Sequence, residues 1–139
     1  MTTQSIFQSV RSNLLRYSLE ADGAFEVTGG IILVAGARPL ATLFGLDRPV
    51  ILTAVGVAAI LFGVWLIRYA AREPANRQVA LIAATSNAAG FLLGMAGLAL
   101  GWFPLTVAGK WALALIAEVV AFYAALEFYA LWRTRPPAG

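Results

Sequence analysis

The chain has 139 residues, of which 60% are apolar and only 12% are charged, and its mean hydropathy is +0.79. Soluble domains are closer to about 45–50% apolar and about 25% charged, so this composition excludes an ordinary soluble domain and predicts a single membrane domain over residues 1–139. The net charge is +3, and the chain has no cysteine and no histidine. Disulfides, thiolate catalysis, zinc sites, a Ser-His-Asp triad and haem ligation by Cys or His are therefore excluded, and we expect no metal and no cofactor.

Residues 1–16 are expected to form a cytoplasmic N-terminal segment. Its apolar residues recur at roughly helical spacing: Ile6, Phe7, Val10, Leu14 and Tyr17. With Arg11 and Arg16 between them, this pattern predicts a short amphipathic helix on the membrane surface, and the alternative is a frayed terminus. The segment lacks the basic-then-apolar pattern of a cleaved signal, so we expect the first spanning helix to direct insertion.

The first span is predicted over residues 17–37. The stretch Val27–Ala37 alone is too short, because a spanning helix needs about 20 mostly apolar residues. The longer segment contains Glu20, Asp22 and Glu26, and an acidic residue at a helix centre costs about 2.5–3.5 kcal/mol. This helix should therefore depend on its neighbours.

Arg38-Pro39 is expected to end the first span, because proline disfavours helical geometry in the preceding residue. Residues 40–46 are apolar but too few to cross, and they predict a short helix at the outer surface. The alternative is a span over residues 24–46 with Glu26 at the interface.

Three further spans are predicted over residues 50–69, 78–100 and 106–132, followed by a cytoplasmic tail over residues 133–139. With four spans, one side of the membrane receives seven basic residues: Arg11, Arg16, Arg68, Arg72, Arg77, Arg133 and Arg135. The other side receives three: Arg38, Arg48 and Lys110. By the positive-inside rule, the sequence predicts an all-α, membrane-embedded four-helix bundle with both termini in the cytoplasm.

The polar residues inside the apolar segments are the candidate intramembrane or proton site: Asp22, Glu26, Asn87, Glu118 and Glu127. We expect Glu26, Asn87 and Glu118 to meet at similar depth, and such residues often mark a proton or cation path. The alternative is structural: the acids pair with Arg16 or Arg68, and Glu118 bonds to Asn87. Glu118 and Glu127 lie about 900° apart around their helix, so they face opposite ways and do not form a single relay.

Glycines in the third span recur at intervals of four, three and four residues: Gly90, Gly94, Gly97 and Gly101. Such a stripe lets helix backbones approach closely, and it predicts a contact with a helix of the same bundle; the alternatives are a second protomer and a substrate groove. Gly56 and Gly63 repeat the pattern more weakly in the second span. No glycine-rich phosphate loop and no basic patch interleaved with aromatic residues is present, so we expect no nucleic-acid partner.

Several landmarks together resemble an uncharacterised family of small bacterial four-helix membrane proteins, from about Leu14 to Trp132. They are Leu15-Arg16, Asp22-Gly23, Ala35-Gly36-Ala37-Arg38-Pro39-Leu40, Leu43-Phe44-Gly45-Leu46, Val64-Trp65-Leu66, Asn87, Phe122 and Glu127. The resemblance implies four spanning helices, a location in the bacterial inner membrane, and Asp22, Asn87 and Glu127 as the polar landmarks.

A local stretch, Ala24-Phe25-Glu26-Val27-Thr28-Gly29, is similar to the first helix of small multidrug resistance transporters. Those proteins use one membrane-embedded glutamate as a proton and cation site, and the similarity implies that role for Glu26.

Two functional hypotheses follow. The first is a non-catalytic subunit or accessory protein that contacts the lipid bilayer and packs against its own copies or a larger membrane protein. The second is a proton-coupled transporter of a small molecule or cation that uses the membrane-embedded carboxylates. A membrane enzyme has the least support, because only carboxylates, hydroxyls and tyrosines remain as catalytic groups.

Overall fold

The computed structural model describes the backbone of residues 3–70, 72 and 76–134, and the side chains of these residues from Asn13 onwards. Within this part of the chain there are five helices and no strand: α1 (Thr3–Ala35), α2 (Ala37–Phe44), α3 (Pro49–Ala70), α4 (Arg77–Ala99) and α5 (Val107–Arg133). The expected all-α class is therefore confirmed.

Helices α3, α4 and α5 are each long and apolar enough to cross a membrane. Their bounds lie within one residue of the predicted spans at every end. The chain therefore has the helices of a multi-pass membrane protein.

Helices α1 and α2 meet at a sharp break. Asn13–Ala35 and Ala37–Phe44 together are long and apolar enough for one span, but they are bent by 87° at Gly36. The break lies before the predicted Arg38-Pro39, because Pro39 has no N–H to donate to the Ala35 carbonyl and the regular ladder stops there. Proline is tolerated in the first turn of the new helix, so α2 begins at Ala37 instead of Leu40.

The N-terminal segment is continuous with the first long helix. Helix α1 runs unbroken from Thr3 to Ala35, so the predicted short amphipathic helix is its first part. The side chains of Ile6, Phe7, Val10 and Arg11 lie outside the described part, as do the tail residues 135–139.

The helices associate mainly as two pairs, α1 with α3 and α4 with α5, and α1 also contacts α5 across the pairs. The main core cluster lies at the end of the bundle that carries the α3–α4 connection. It consists mostly of leucine and alanine: Leu15, Leu19, Leu66, Ala70, Val79, Ala80, Ala83, Ala84, Ala130 and Leu131. A smaller cluster packs Ala37 and Ala41 of α2 against Leu52 of α3.

The α1–α3 pair is built on four glycines in two facing contacts. A Cβ on Gly30 would lie 2.5 Å from the Gly56 carbonyl oxygen, and a Cβ on Gly63 would lie 2.5 Å from the Gly23 carbonyl oxygen. No side chain fits at these distances, so the two backbones approach as closely as glycine allows. Dispersion contacts between such backbones hold helices together where lipid supplies no hydrophobic drive.

Thr106 joins the two helix ends at the opposite end of the bundle. Its backbone N–H donates to the Phe44 carbonyl at 3.0 Å, and its hydroxyl donates to the Leu43 carbonyl at 2.6 Å. The same hydroxyl accepts from the Gly109 N–H at 3.1 Å and so caps α5. The end of α2 is thereby fixed to the start of α5.

Candidate functional site

Three polar side chains from three helices meet inside the bundle: Asp22 of α1, Asn87 of α4 and Glu127 of α5. They are 1%, 4% and 0% exposed, so none of them reaches the surroundings of the bundle. We call this group the polar triad. Polar groups removed from water are expected to be hydrogen-bonded, and the triad meets this expectation only in part.

Asn87 is the donor of the triad. Its Nδ2 donates to Asp22 Oδ2 at 2.8 Å and to Glu127 Oε2 at 3.3 Å. The reversed amide would place three oxygen atoms together, so the nitrogen belongs on this side. The carboxyl groups of Asp22 and Glu127 therefore meet at one atom, Asn87 Nδ2.

Two oxygen atoms of the triad have no hydrogen-bond partner in the described part of the chain: Asp22 Oδ1 and Glu127 Oε1. No basic side chain of that part lies within 4 Å of either carboxyl group, since the ion pair found there joins Arg16 to Glu20 at 2.7 Å. An isolated ionised carboxylate is costly to bury. The triad is therefore short of both donors and positive charge.

The local sequence explains why the three side chains reach each other. Leu15, Ser18 and Asp22 follow one another at intervals of three and four residues, so they share the face of α1 that is buried in the bundle. On α4, Ala83 and Ala84 precede Asn87 and are fully buried. These small residues keep the helices close enough for a short asparagine side chain to bridge them.

The structure brings together three of the five predicted polar residues. Glu26 lies one turn after Asp22 on α1, is half-buried, and does not bond to the triad. Glu118 is exposed on the outer face of α5. The expected meeting of Glu26, Asn87 and Glu118 is therefore not found, and the physical reason is the helical rotation that separates Glu118 from Glu127.

The alternative arrangement, in which arginines neutralise the acids, is not found either. Among the described side chains, Arg16 pairs with Glu20, and neither Arg16 nor Arg68 forms an ion pair with Asp22, Glu26 or Glu127. Glu118 does not bond to Asn87, whose amide nitrogen is used by the triad.

The glycine stripe of the third span has mixed surroundings. A Cβ on Gly90 or Gly94 would meet α5 only at 3.8 and 3.7 Å, which is ordinary contact. Gly97 lies against the Phe103 ring, and Gly101 follows α4 with a φ of 64°. The stripe thus faces α5 loosely in its first half, and the tight glycine contacts belong to α1 and α3.

Sequence reasoning did not identify the buried Ser18 or the packing role of Gly23 and Gly30. Ser18 is 2% exposed, and its hydroxyl donates to the Leu15 carbonyl at 2.9 Å. A signal for the glycines was present, because Gly23 and Gly30 are seven residues apart, and so are Gly56 and Gly63. Equal spacing on two antiparallel helices lets both pairs meet.

Comparisons of the chain with protein-family models, with curated proteins and with solved structures find no match. The described residues contain no group of three Asp, Glu, His or Cys side chains that could hold a metal ion.

Proposed function

We propose that this chain is a four-span protein of the bacterial inner membrane with both termini in the cytoplasm. In this proposal α1 and α2 form the first span and its outer bend, and α3, α4 and α5 form the others. Two observations support it: the bent pair passes the length and hydropathy criteria for a span when taken together, and the basic residues favour the side of the termini seven to three.

In function, we propose a non-catalytic subunit or accessory of a membrane assembly. The observation that carries this proposal is Glu118, which lies near the middle of α5 and points away from the bundle. Its neighbours Leu115 and Phe122 are 63% and 62% exposed. Ionisable residues within spans almost always face a bundle interior or a cavity, so this outer face of α5 is expected to be covered by another helix.

The residues around Glu118 suit a helix–helix contact. Ala114, Ala121 and Ala125 lie four before, three after and seven after Glu118, so they share its face. Small residues allow a second backbone to come close. We call the face formed by Ala114, Glu118, Ala121 and Ala125 the α5 partner face.

Charge complementarity favours one kind of occupant. A helix of another membrane protein that presents a basic or amide side chain at this depth would supply the donor that Glu118 lacks in the described residues. A second copy in the same orientation would instead place a carboxyl against a carboxyl without an amide donor such as the one that Asn87 gives to the triad. The proposed partner is therefore a different protein with a hydrogen-bond donor near mid-membrane.

Site-specific photo-crosslinking in cells tests this proposal. A photoreactive residue at Ala125 should give one adduct with a different membrane protein, and Glu118→Leu should remove the adduct. The matched control is the same probe at Ile31, which is 54% exposed on α1 and should give no such adduct. An adduct with the mass of two copies, or no adduct from Ala125, would contradict the proposal.

The second candidate function is proton-coupled transport, and the unpartnered oxygens of Asp22 and Glu127 favour it. It predicts that a transported cation added to the protein in detergent releases protons, and that Asp22→Asn abolishes the release. An absence of proton release across a panel of organic and inorganic cations would argue against this function.

A further inference from the structure

We infer that the polar triad is a proton-binding site, in which one proton is held between the carboxyl groups of Asp22 and Glu127. The inference rests on the hydrogen-bond inventory of the triad. It does not depend on the α5 partner face or on transport.

The donor capacity of the triad is exhausted. An asparagine amide carries two N–H donors, and Asn87 uses them on Asp22 Oδ2 and Glu127 Oε2. Two ionised carboxylates can only accept. Asp22 Oδ1 and Glu127 Oε1 therefore remain without a donor in the described part of the chain as long as both groups are charged.

A single proton removes this deficit. A protonated carboxyl carries one O–H donor, and both carboxyl groups already accept from the same atom, Asn87 Nδ2. The O–H of one group then donates to the carboxylate of the other, which is among the stronger hydrogen bonds in proteins. The pair carries one negative charge instead of two, and Asn87 donates to both members.

No basic side chain of the described residues forms an ion pair with either carboxyl group. Glu26 lies one turn after Asp22 on α1, and Tyr123, whose ring lies 5.6 Å from that of Phe25, lies one turn before Glu127 on α5. Helix α4 contributes Asn87 itself with the buried Ala83 and Ala84, and α3 approaches this part of α1 through Gly63. Two like charges held close together in a medium of low dielectric constant repel each other strongly.

A bound monovalent metal cation fits the triad less well than a proton. The Asn87 amide points its N–H groups at both carboxylates, so a cation between them would face these hydrogens. Coordination would require the amide to turn over and give up both hydrogen bonds. The proton needs no such rearrangement.

Infrared difference spectroscopy of the full chain in lipid vesicles tests the inference. The protein at neutral pH should show the C=O band of a protonated carboxylic acid that shifts in D₂O, and this band should be lost or displaced in frequency in Asp22→Asn and in Glu127→Gln. In each variant the hydrogen bond between a carboxyl and a carboxylate can no longer form. The control Glu20→Gln, whose acid is paired with Arg16 outside the triad, should keep the band.

Three results would overturn the inference: no protonated-carboxyl band in the unsubstituted protein, a band unchanged in both triad variants, or a band that disappears when sodium or lithium chloride is added. The last result would assign the site to a metal cation. The first and the last of these results come from the unsubstituted protein alone and do not require a folded variant.

Discussion

Asn87 is the residue on which the contact between three helices depends. It supplies both hydrogen bonds that tie Asp22 of α1 and Glu127 of α5 to α4. An unpaired acidic residue at the centre of α1 would oppose insertion of that helix into the membrane. The hydrogen bond from Asn87 to Asp22 offsets part of this cost. A short amide at a single position therefore supports the least apolar helix of the bundle.

Replacing Asn87 by leucine should destabilise the protein. The change leaves two buried carboxyl groups without an N–H donor, and an unsatisfied buried polar group costs about 1–3 kcal/mol. The midpoint of thermal unfolding in mild detergent should fall clearly below that of the control Ser86→Leu, because Ser86 is the exposed neighbour on the same helix. Equal midpoints for the two variants would mean that the triad does not hold the helices together.

The sequence predicted which polar residues lie in the apolar helices better than it predicted which of them meet. Asp22, Asn87 and Glu127 stand out because polar side chains are rare in apolar helices, and the family resemblance marked the same three. Which acid faces Asn87 depends on the rotation of α5, and residue types do not set that rotation. In the structure Ala117, Ala124 and Ala130 lie on the buried face of α5 together with Glu127, and Glu118 lies on the exposed side.

At the scale of elements, the α1–α3 pair depends on glycine more than any other contact described. Gly30→Ala should weaken it, because the added Cβ would lie 2.5 Å from the Gly56 carbonyl oxygen. Forcing a methyl group into a tight contact costs about 1–3 kcal/mol, so the thermal midpoint should fall.

The matched control is the preceding residue. Gly29→Ala meets nothing within 4 Å, and alanine favours a helix over glycine by about 1 kcal/mol, so this variant should be as stable as the original or more stable. If Gly29→Ala and Gly30→Ala behaved alike, the close approach of α1 and α3 would be wrong.

Thr106 controls the junction between α2 and α5. Thr106→Val keeps the shape but removes the hydroxyl that caps α5 and bonds to the Leu43 carbonyl, and loss of a cap costs about 1 kcal/mol. We expect a lower thermal midpoint and faster amide exchange over Ala41–Phe44. Thr42→Val is the comparison, because the Thr42 hydroxyl bonds only within its own helix, to the Arg38 carbonyl; an equal effect of both changes would contradict the role of the junction.

The bounds of α3, α4 and α5 follow from composition, whereas the position of the break between α1 and α2 depends on local chemistry. Helices α3, α4 and α5 are apolar around most of their circumference, so hydropathy alone predicts their bounds. The α1–α2 break depends on which carbonyl loses its donor to Pro39, and on Gly36 as the residue at the turn. Sequence patterns predicted a short outer helix there but placed its start three residues late.

At the scale of the whole molecule, the number of spans determines where the termini lie. Three spans would place them on opposite sides of the membrane, whereas four place them on the same side. Composition and the positive-inside rule predict four. The pairing of α1 with α3 through glycines was not predicted, because its signal is a matched spacing in two separate segments that shows only when the two are compared.

The most direct test of the four-span account is the labelling of single cysteines by a membrane-impermeant thiol reagent, which is clean because the chain has no cysteine. The account predicts that Asp47→Cys, between α2 and α3, is labelled in intact spheroplasts. Asn13→Cys, Asn76→Cys and a cysteine appended after Gly139 should react only after the membrane is opened. Labelling of Asn76→Cys in intact spheroplasts, or of only one of the two terminal cysteines, would contradict the account.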